Sequence, residues 1–441
     1  MTQKSKSLNK QQNNTSLKGA SRRSFLKKAA AYSVSAITAA NILAPVKIKA
    51  DDEAITQPAV WGGKLGDLVD KYKYGVPSPY EHNNIRRVHD LLSSGDRYAT
   101  VSMTPLHQQE GIITPNGLFF NRSHSGVAHV DPYKFRLMIH GLVEKPLVLT
   151  LSELKRYPSQ SRIHFIECPA NGSTGWRGPQ FNNLQFIKGM MGCAEWTGVR
   201  LKTVLDDLGL KPNAKWMLAE GSDNSEMART IPIEKALDDA MLVWGQNGEP
   251  LRPEQGYPVR LLLPGWEGNL NVKWLKRLEF SDKPWHSKEE TSKYTMLQPN
   301  GKGINFFWPM EVNSIITSPC PEVPWTDLNI GDKVEISGVA WSGRGTIKNV
   351  DISLDGGNNW REASLKGLVL AKAWTRFSFI TVWDGKTKVM LSRAIDDSGH
   401  IQPTIDKLIE NVGVEGIYHR NPIVGWEVNA KGEVNNVHVR S

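Results

Sequence analysis

The sequence predicts an α+β protein with two structured domains, a mixed α/β domain followed by a β-sandwich. At 441 residues the chain is long enough for two or three domains with their own hydrophobic cores. Helix-like and strand-like segments alternate as far as about Pro309, and beyond it nearly every segment has the periodicity of a strand. The predicted parts are an export signal (1–50), an irregular N-terminal arm (51–110), the mixed domain (111–308) and the sandwich (309–441).

The positive charge of the chain is concentrated at its N-terminus. The formal net charge is +9, but residues 1–50 contain ten Lys or Arg and no Asp or Glu, which leaves −1 for the remainder. A body close to neutrality has no bulk electrostatic reason to bind nucleic acid. The sequence therefore predicts that nucleic acid is not a partner.

The same N-terminal segment is typical of an export signal. The twin arginines Arg22 and Arg23 precede an alanine-rich, mildly apolar run, which is the pattern of the twin-arginine (Tat) route. The run is too short and too mildly apolar for a membrane span. Cleavage near Ala50 would leave a soluble periplasmic protein. Because this route exports folded proteins, it also indicates a cofactor that is inserted before export.

The three cysteines, Cys168, Cys193 and Cys320, form no close pair. Their spacing indicates neither a disulfide framework nor a zinc site. There is no Cys-x-x-Cys-His, so covalently attached c-type haem is not expected in this chain.

The mixed domain is predicted from periodicity and from capping residues. Strands are expected over Lys134–Val143, 162–168, 257–265 and 271–282. A short helix is expected to begin at a cap-like Ser152 and to stop at Pro158. Further helices are expected over Val199–Leu210, closed by Gly209, and over 231–240.

The predicted sandwich consists of apolar runs separated by turn residues. Its strands are expected over 332–341, 347–354, 375–383 and 388–396, with one helix over 404–413. The segment from Asp355 to Gly357 faintly resembles a calcium loop, but it lacks the third ligand and the terminal Glu. A hairpin turn is the better interpretation.

Four separated stretches carry groups that suit a phosphorylated, sulfur-liganded metal cofactor. They contain Arg122 with His124, then Cys168, then Asp223, and then Arg260 with Lys273. A thiolate is a ligand for soft metals, and an arginine beside a lysine suits a phosphate.

Each of these groups also has an ordinary structural interpretation. Cys168 would be a small core residue, Asp223 a turn cap, and Arg260 a side chain that reaches solvent from the end of a strand. The residue types alone leave both interpretations open.

Four longer motifs add a resemblance. They are "FFNRSH", "ECPAN", "QGYPVRLLLPGWEGNLNVKWLKRLEF" and "RAIDDSGHIQP". On these motifs the chain resembles the sulfite oxidase family of molybdenum enzymes from about Leu118 to its C-terminus. The resemblance implies one molybdenum held by the two sulfurs of a single molybdopterin and by Cys168. It also implies an immunoglobulin-like dimerisation domain after the cofactor domain, and therefore a homodimer.

The resemblance also implies roles for individual residues. Arg122 and Tyr294 are expected beside the metal at Cys168 as catalytic residues. The implied cofactor-binding residues are Asn121, Arg122, His124, Asp223, Gln255, Arg260, Asn271, Val272 and Lys273.

Three departures from the animal sulfite oxidases concern charge in the pocket. Gln255 replaces a histidine, and Gly172 and Ser173 replace two arginines that grip free sulfite. A further arginine is replaced by the residue two after Trp426, which is Val428. Such a pocket is expected to bind a small free dianion more weakly.

The motifs "IHFIECPANGSTGWRG", "GCAEWTGVRLKTVL" and "EETSKYTML" resemble one branch of the family, the sulfane dehydrogenases of bacterial sulfur oxidation. This resemblance implies a substrate sulfur on a carrier-protein cysteine and a c-type cytochrome that accepts the electrons. The alternative within the family is a free-sulfite dehydrogenase with a cytochrome c acceptor. The hypothesis outside the enzyme class is a non-catalytic binding module with a degenerate site. It predicts that the protein folds and is exported without molybdenum.

Overall fold

The computed structural model describes residues 74–88, 100–175 and 178–439, which all belong to one compact unit spanning Asp67–Ser441. The predicted export signal with Arg22 and Arg23 lies outside the described residues. Among the residues that are described, no helix is long and apolar enough to cross a membrane.

The first part of the described chain is built mainly of short strands. They are β1 (Arg87–Val88), β2 (Thr100–Met103), β3 (Asn121–Ser123), β4 (Leu137–Gly141), β5 (Leu147–Leu149), β6 (Ser159–Glu167), β7 (Met191–Arg200), β8 (Trp216–Gly221), β9 (Ala228–Pro232), β10 (Met241–Gln246), β11 (Glu249–Pro250), β12 (Arg260–Leu262), β13 (Leu275–Ser281), β14 (Met296–Leu297) and β15 (Gly303–Ile304). The helices of this part are α1 (Leu151–Leu154), α2 (Leu184–Lys188), α3 (Leu201–Leu208) and α4 (Ile233–Asp238).

These strands form two five-stranded sheets, one small sheet and one hairpin. One five-stranded sheet has the order β11-β10-β7-β6 with β12 beside β10, and the other has the order β5-β4-β13-β8-β9. Only β4 and β13 run parallel within them. The mixture of sheets and short helices confirms the predicted mixed α/β character of this part.

The small sheet β1-β2-β3 departs from the expected irregular arm at 51–110. Its strands β1 and β2 lie within that range, and β2 pairs with β3, which carries Asn121 and Arg122. Strands of two and four residues are too short to show an alternating pattern, which is why the sequence did not reveal them.

The first helix begins two residues earlier than predicted. Its N-cap is Thr150 rather than Ser152, because Thr150 Oγ1 accepts a hydrogen bond from the Glu153 amide at 3.2 Å. In return Glu153 Oε2 accepts the Thr150 amide at 2.8 Å. This reciprocal capping box is the Thr-x-x-Glu pattern, and the neighbouring hydroxyl of Ser152 hid it from the sequence argument.

The second part is a sandwich of two antiparallel sheets. Its strands are β16 (Asn313–Ser318), β17 (Lys333–Trp341), β18 (Ile347–Ser353), β19 (Arg361–Glu362), β20 (Ser364–Lys366), β21 (Thr375–Val382), β22 (Lys388–Asp396), β23 (Gly425–Val428) and β24 (Val434–Val437), with α5 (Ile405–Val412) between β22 and β23. The sheet orders are β16-β17-β21-β20 and β19-β18-β22-β23-β24. The predicted sandwich is therefore confirmed, and residues 355–357 form the expected turn between β18 and β19.

The sandwich does not have a core of its own. One hydrophobic cluster contains Phe165 and Cys193 from β6 and β7 together with Trp341 and Phe377 from the sandwich. A backbone hydrogen bond also joins the two parts of the chain, since the Phe165 amide donates to the Lys372 carbonyl at 3.0 Å.

Candidate active site

A single cavity is lined by every residue that the sequence predicts for the site. Its wall includes Asn121, Arg122, His124, Cys168, Asp223, Gln255, Arg260, Asn271, Val272, Lys273 and Tyr294. The elements that deliver them are β3, the end of β6, the turn after β8, the segments on both sides of β12, and the turn before β14. The wall also holds residues that the sequence argument missed, namely Phe119, Phe120, Ser123, Ile166, Met227, Gly268, Asn269 and Trp274.

Cys168 directly follows the last residue of β6, at the point where the strand gives way to a turn. Its amide donates to the Met190 carbonyl at 3.0 Å, and its carbonyl accepts the Asn171 amide at 2.9 Å. The residue is only 8% exposed. Burial raises the pKa of the Cys168 thiol to about 11, so metal binding has to displace a proton from the sulfur.

The described residues form no metal site of side chains alone around this thiol. No group of three or more His, Cys, Asp or Glu among them is arranged to hold a metal ion. A sulfur-bearing cofactor could supply further ligands to a metal at Cys168.

Gly268 explains how the backbone can pack so closely against the cysteine turn. A Cβ atom at this position would lie 2.8 Å from the Glu167 carbonyl oxygen and 3.3 Å from the Cys168 nitrogen. Real Cβ atoms do not approach backbone this closely, so only glycine fits. The second glycine of "GWEGN" is Gly268, and it was the available sequence signal for this contact.

Arg260 is buried in the wall and does not reach solvent as a strand-end arginine would. It is 3% exposed, and its guanidinium donates to the carbonyls of Gln255 at 3.1 Å and Asn271 at 2.9 Å. Its Nε is buried and has no hydrogen-bond partner among the described groups. A buried cationic donor without a partner at a cavity suits an anionic ligand.

Lys273 stands beside this arginine. Its Nζ donates to Asn121 Oδ1 at 2.7 Å and to the carbonyls of Arg122 at 3.1 Å and Glu254 at 3.0 Å. Burial, and after it the charge of Arg260, lowers the pKa of Lys273 to about 7. A nearby anion would restore its charge.

Two further predicted residues shape the wall through hydrogen bonds of their side chains. Asn271 Oδ1 accepts the Leu263 amide at 2.7 Å and fixes the turn that leads into Val272. Gln255 Nε2 donates to the Phe120 carbonyl at 2.9 Å.

Asp223 is a turn cap, one of the two interpretations that the sequence left open, and its role toward a cofactor stays a prediction. Its Oδ1 accepts the Met227 amide at 3.2 Å, as a turn cap would, and its Oδ2 accepts Ser125 Oγ at 3.2 Å. It lines the cavity at the same time.

Tyr294, His124 and Arg122 form a chain along one side of the cavity. Tyr294 is 6% exposed, and its hydroxyl lies 2.8 Å from His124 Nε2, which makes it a buried residue rather than a half-exposed loop aromatic. Burial, and after it the charge of Arg122, lowers the pKa of His124 to about 3, so the ring is neutral. Burial also raises the pKa of Tyr294 well above 10.

The tautomer of His124 follows from its neighbours. Its Nδ1 lies 3.4 Å from Nη2 of Arg122, which can only donate, so Nδ1 is the acceptor. Nε2 therefore carries the proton and donates to the oxygen of Tyr294. The hydroxyl hydrogen of Tyr294 is then free to point into the cavity as a donor.

This donor set fits a phosphorylated pterin with a thiolate-bound metal. Arg122, Arg260 and Lys273 bring three cationic side chains to one wall, and Arg260 retains an unused donor. Cys168 supplies a soft ligand on the same cavity. Arg260, Lys273, Asp223 and Gln255 could hold the pterin side of such a cofactor, and Cys168 could hold its metal.

The departures in charge have different structural outcomes. A Cβ at Gly172 would lie 2.8 Å from Lys188 Nζ, and φ is +89°, so the site has no room for an arginine there. Ser173 begins a short 3₁₀ turn. Val428 is fully buried in the sandwich core and is not part of the cavity wall, so its proposed equivalence to a substrate-binding arginine is wrong.

Comparisons with known proteins agree with this geometry. Residues 124–289 match the family model described as oxidoreductase molybdopterin binding domain, and residues 305–425 match the Mo-co oxidoreductase dimerisation domain. Mitochondrial sulfite oxidase from Mus musculus is 30% identical over 354 residues, which are 74% of this chain and 63% of the mouse protein. Inducible nitrate reductase 2 from Glycine max is 29% identical over 74% of this chain and 41% of its own length.

A solved structure gives a higher identity. The crystal structure of the sulfane dehydrogenase SoxCD from Paracoccus pantotrophus contains a chain that is 45% identical, with a TM-score of 0.85. The match covers 89% of this chain and 100% of that chain.

Proposed function

The chain belongs to the sulfite oxidase family of molybdopterin oxidoreductases, and on this basis we propose that it oxidises sulfane sulfur held on a cysteine of a carrier protein. The observation that carries the proposal is the 45% identity to a chain of a sulfane dehydrogenase over that chain's full length. The mouse sulfite oxidase is 30% identical, and this chain covers only 63% of its length.

The turn after Cys168 supports the same choice. Gly172 and Ser173 do not line the cavity and are uncharged, so this turn brings no charged donor for a free dianion to the site. A substrate attached to a carrier gains affinity from contacts between the two proteins and depends less on charge in the pocket.

We propose tasks in this reaction for five residues of the cavity. When bound, the molybdenum cofactor supplies a two-electron oxidation of sulfur with oxygen taken from water. Arg122 places a guanidinium on the cavity, where it stabilises negative charge that develops on the oxidised sulfur group. Tyr294 stays protonated and donates a hydrogen bond, and the neutral His124 holds it in that orientation. Arg260 and Lys273 bind the phosphate side of the cofactor.

The remaining parts of the proposal concern partners and location. We propose that electrons leave one at a time to a c-type cytochrome, since this chain has no Cys-x-x-Cys-His motif of its own. We propose export to the periplasm by the twin-arginine route on the basis of Arg22 and Arg23. A homodimer formed through the second domain is supported by the match to the dimerisation domain over residues 305–425.

Electron paramagnetic resonance tests the substrate. Exported protein of counted molybdenum content is mixed anaerobically first with free sulfite and then, in a separate sample, with a carrier loaded with sulfane sulfur. A limiting amount of ferricyanide, a one-electron oxidant, replaces the cytochrome in both samples, because two-electron reduction alone would leave molybdenum(IV), which gives no signal. We expect a molybdenum(V) signal with the loaded carrier and little or none with sulfite.

The opposite result would favour the alternative. A strong signal that forms quickly with free sulfite, and none with the loaded carrier, would make the chain a free-sulfite dehydrogenase. Absence of molybdenum from exported protein would overturn both functions.

A further inference from the structure

The ring of Tyr294 is enclosed by groups from three parts of the chain. The guanidinium carbon of Arg229 lies 4.8 Å from the ring centroid, over its face. The ring of Tyr418 lies 5.3 Å away, and the ring of His124 meets it edge-on at 6.2 Å. Neither Arg229 nor Tyr418 lines the cavity, so both contact Tyr294 from behind the wall.

Arg229 is held in place by two carboxylates. Its Nε donates to Glu290 Oε1 at 2.8 Å, and its Nη1 donates to Glu267 Oε2 at 3.3 Å. The side chains of all three residues are 1% exposed. A buried arginine fixed at both sides keeps its orientation, and removal of one partner leaves a buried charge uncompensated.

Glu290 connects Arg229 to the backbone that carries Tyr294. It lies in a single π-helical turn over Glu289–Lys293, and the Tyr294 amide closes that turn on the Glu289 carbonyl at 2.8 Å. Glu290 Oε1 also accepts the Thr230 amide at 2.9 Å. Arg229 therefore holds both the face of the Tyr294 ring and the turn from which the ring projects.

Glu267 connects Arg229 to the second domain. Its other oxygen, Oε1, accepts His419 Nε2 at 2.8 Å. The amide of His419 donates to the carbonyl of Pro169, the residue after Cys168, at 2.8 Å. The segment that supplies Tyr418 is thereby tied to Arg229 and to the cysteine turn.

We propose that Arg229 is a positioning residue that holds Tyr294 in its reactive orientation, and that Glu267 shares this task by joining Arg229 to His419. The proposal rests on the proposed function in one respect, which is that Tyr294 takes part in turnover. The planar guanidinium of Arg229 stacks on the Tyr294 ring and at the same time donates hydrogen bonds to two carboxylates. A lysine ammonium could not make all of these contacts at once.

Arg229→Lys tests this role in turnover. We expect kcat to fall about tenfold with little change in KM, because a displaced Tyr294 weakens a contact made during reaction. Arg393→Lys is the matched control, since Arg393 stacks on Trp360 at 4.3 Å and pairs with Asp351 at 2.9 Å within the sandwich. That control is expected to leave kcat unchanged.

A double-mutant cycle separates positioning from general destabilisation. In a Tyr294→Phe background, Arg229→Lys should lower kcat less than about twofold, because the hydroxyl that it positions is already gone. An equal loss in both backgrounds would overturn the proposal, as would unchanged kcat in the single variant.

Fluorine NMR gives a readout that needs neither cofactor nor substrate. With 3-fluorotyrosine placed only at position 294, Arg229→Lys should shift or broaden the resonance of cofactor-free protein, and Arg393→Lys should not. His419→Gln should move the same resonance, and its constancy would overturn the part assigned to Glu267. If Arg229→Lys does not fold, Glu267→Gln is measured instead, because it keeps the size of the side chain, removes the charge and leaves one acceptor oxygen in place of two. A protein that turns over neither substrate would defeat the proposed function while leaving this NMR test intact.

Discussion

Cys168 and Cys193 have similar surroundings but face different parts of the molecule. Both are buried, and burial raises the pKa of the Cys168 thiol to about 11 and that of Cys193 to about 12. Only Cys168 lines the cavity, whereas Cys193 packs in the core shared with the sandwich. The position on the cavity, rather than the acidity of the thiol, distinguishes the candidate ligand.

Replacement of each cysteine by serine tests that distinction. Cys168→Ser is expected to abolish molybdenum retention, because an alcohol is a poor ligand for a soft metal centre. Cys193→Ser is expected to retain molybdenum and to lose some stability from its buried hydroxyl. Metal analysis of exported protein measures both. Equal molybdenum content in the two variants would indicate that Cys168 is a core residue and not a metal ligand.

Lys273 gives the stability of the cofactor-free protein a dependence on pH. Its pKa is about 7 in the folded chain, below the ordinary value of 10.5, so between these values the unfolded chain binds one more proton. The free energy of unfolding therefore rises with pH above 7, by at most about 1.4 kcal/mol per pH unit from this group. Below pH 7 the full penalty for the buried charge applies.

Denaturant titrations of wild type and Lys273→Met between pH 7 and 9 measure this contribution. Lys188 and Lys235 have pKa values lowered to about 8 by burial, and they contribute to both proteins. The difference between the two curves is therefore the relevant quantity. We expect the variant to have the shallower rise, and parallel curves would contradict the assignment.

At the scale of single elements, the N-terminus of α1 offers a direct comparison of two hydroxyls. Thr150→Ala removes the capping box and is expected to lower the free energy of unfolding by about 1 kcal/mol. Ser152→Ala should change it very little, because Ser152 is exposed and makes only a side-chain contact to Thr150. Chemical denaturation of the two variants measures the difference. A larger loss for Ser152→Ala would place the cap where the sequence first indicated it.

Local pattern was sufficient to predict some of the regular elements. The helices α3 and α5 have apolar residues at helical spacing and end at Gly209 and Gly413, so neighbouring residues alone define them. The π-helical turn before Tyr294 could not be found in this way. It depends on Glu290, whose hydrogen-bond partners Arg229 and Thr230 belong to strand β9, far away along the chain.

The wall of the cavity was predicted from motifs that match a known family, residue by residue. The support behind the wall was not, because Arg229 and His419 lie outside those motifs and meet Glu267 only in the folded chain. Sequence patterns report neighbours along the chain, whereas this ionic cluster is made of residues from both domains.

At the scale of the whole molecule, the two domains act as one packing unit. The apolar cluster around Trp341 includes Phe165 and Cys193 from the first domain. Trp341 Nε1 also donates to Glu167 Oε2 at 2.6 Å, on the residue that precedes Cys168. Separation of the domains would expose apolar surface and leave a buried carboxylate with fewer partners.

This shared core predicts a single unfolding transition for the two domains. Differential scanning calorimetry of the cofactor-free protein should show one peak, and Trp341→Phe should lower its midpoint without splitting it. Two resolved peaks would show that the domains unfold independently and would contradict the shared core.

The contact between His419 and Pro169 has a consequence for how the protein is made. Pro169 follows Cys168 in the first half of the chain, while His419 is among the last residues that the structure describes. On the ribosome the cysteine emerges long before the segment that encloses its turn. The hydrogen bond that joins this segment to the cysteine turn therefore cannot form until residue 419 has left the ribosome.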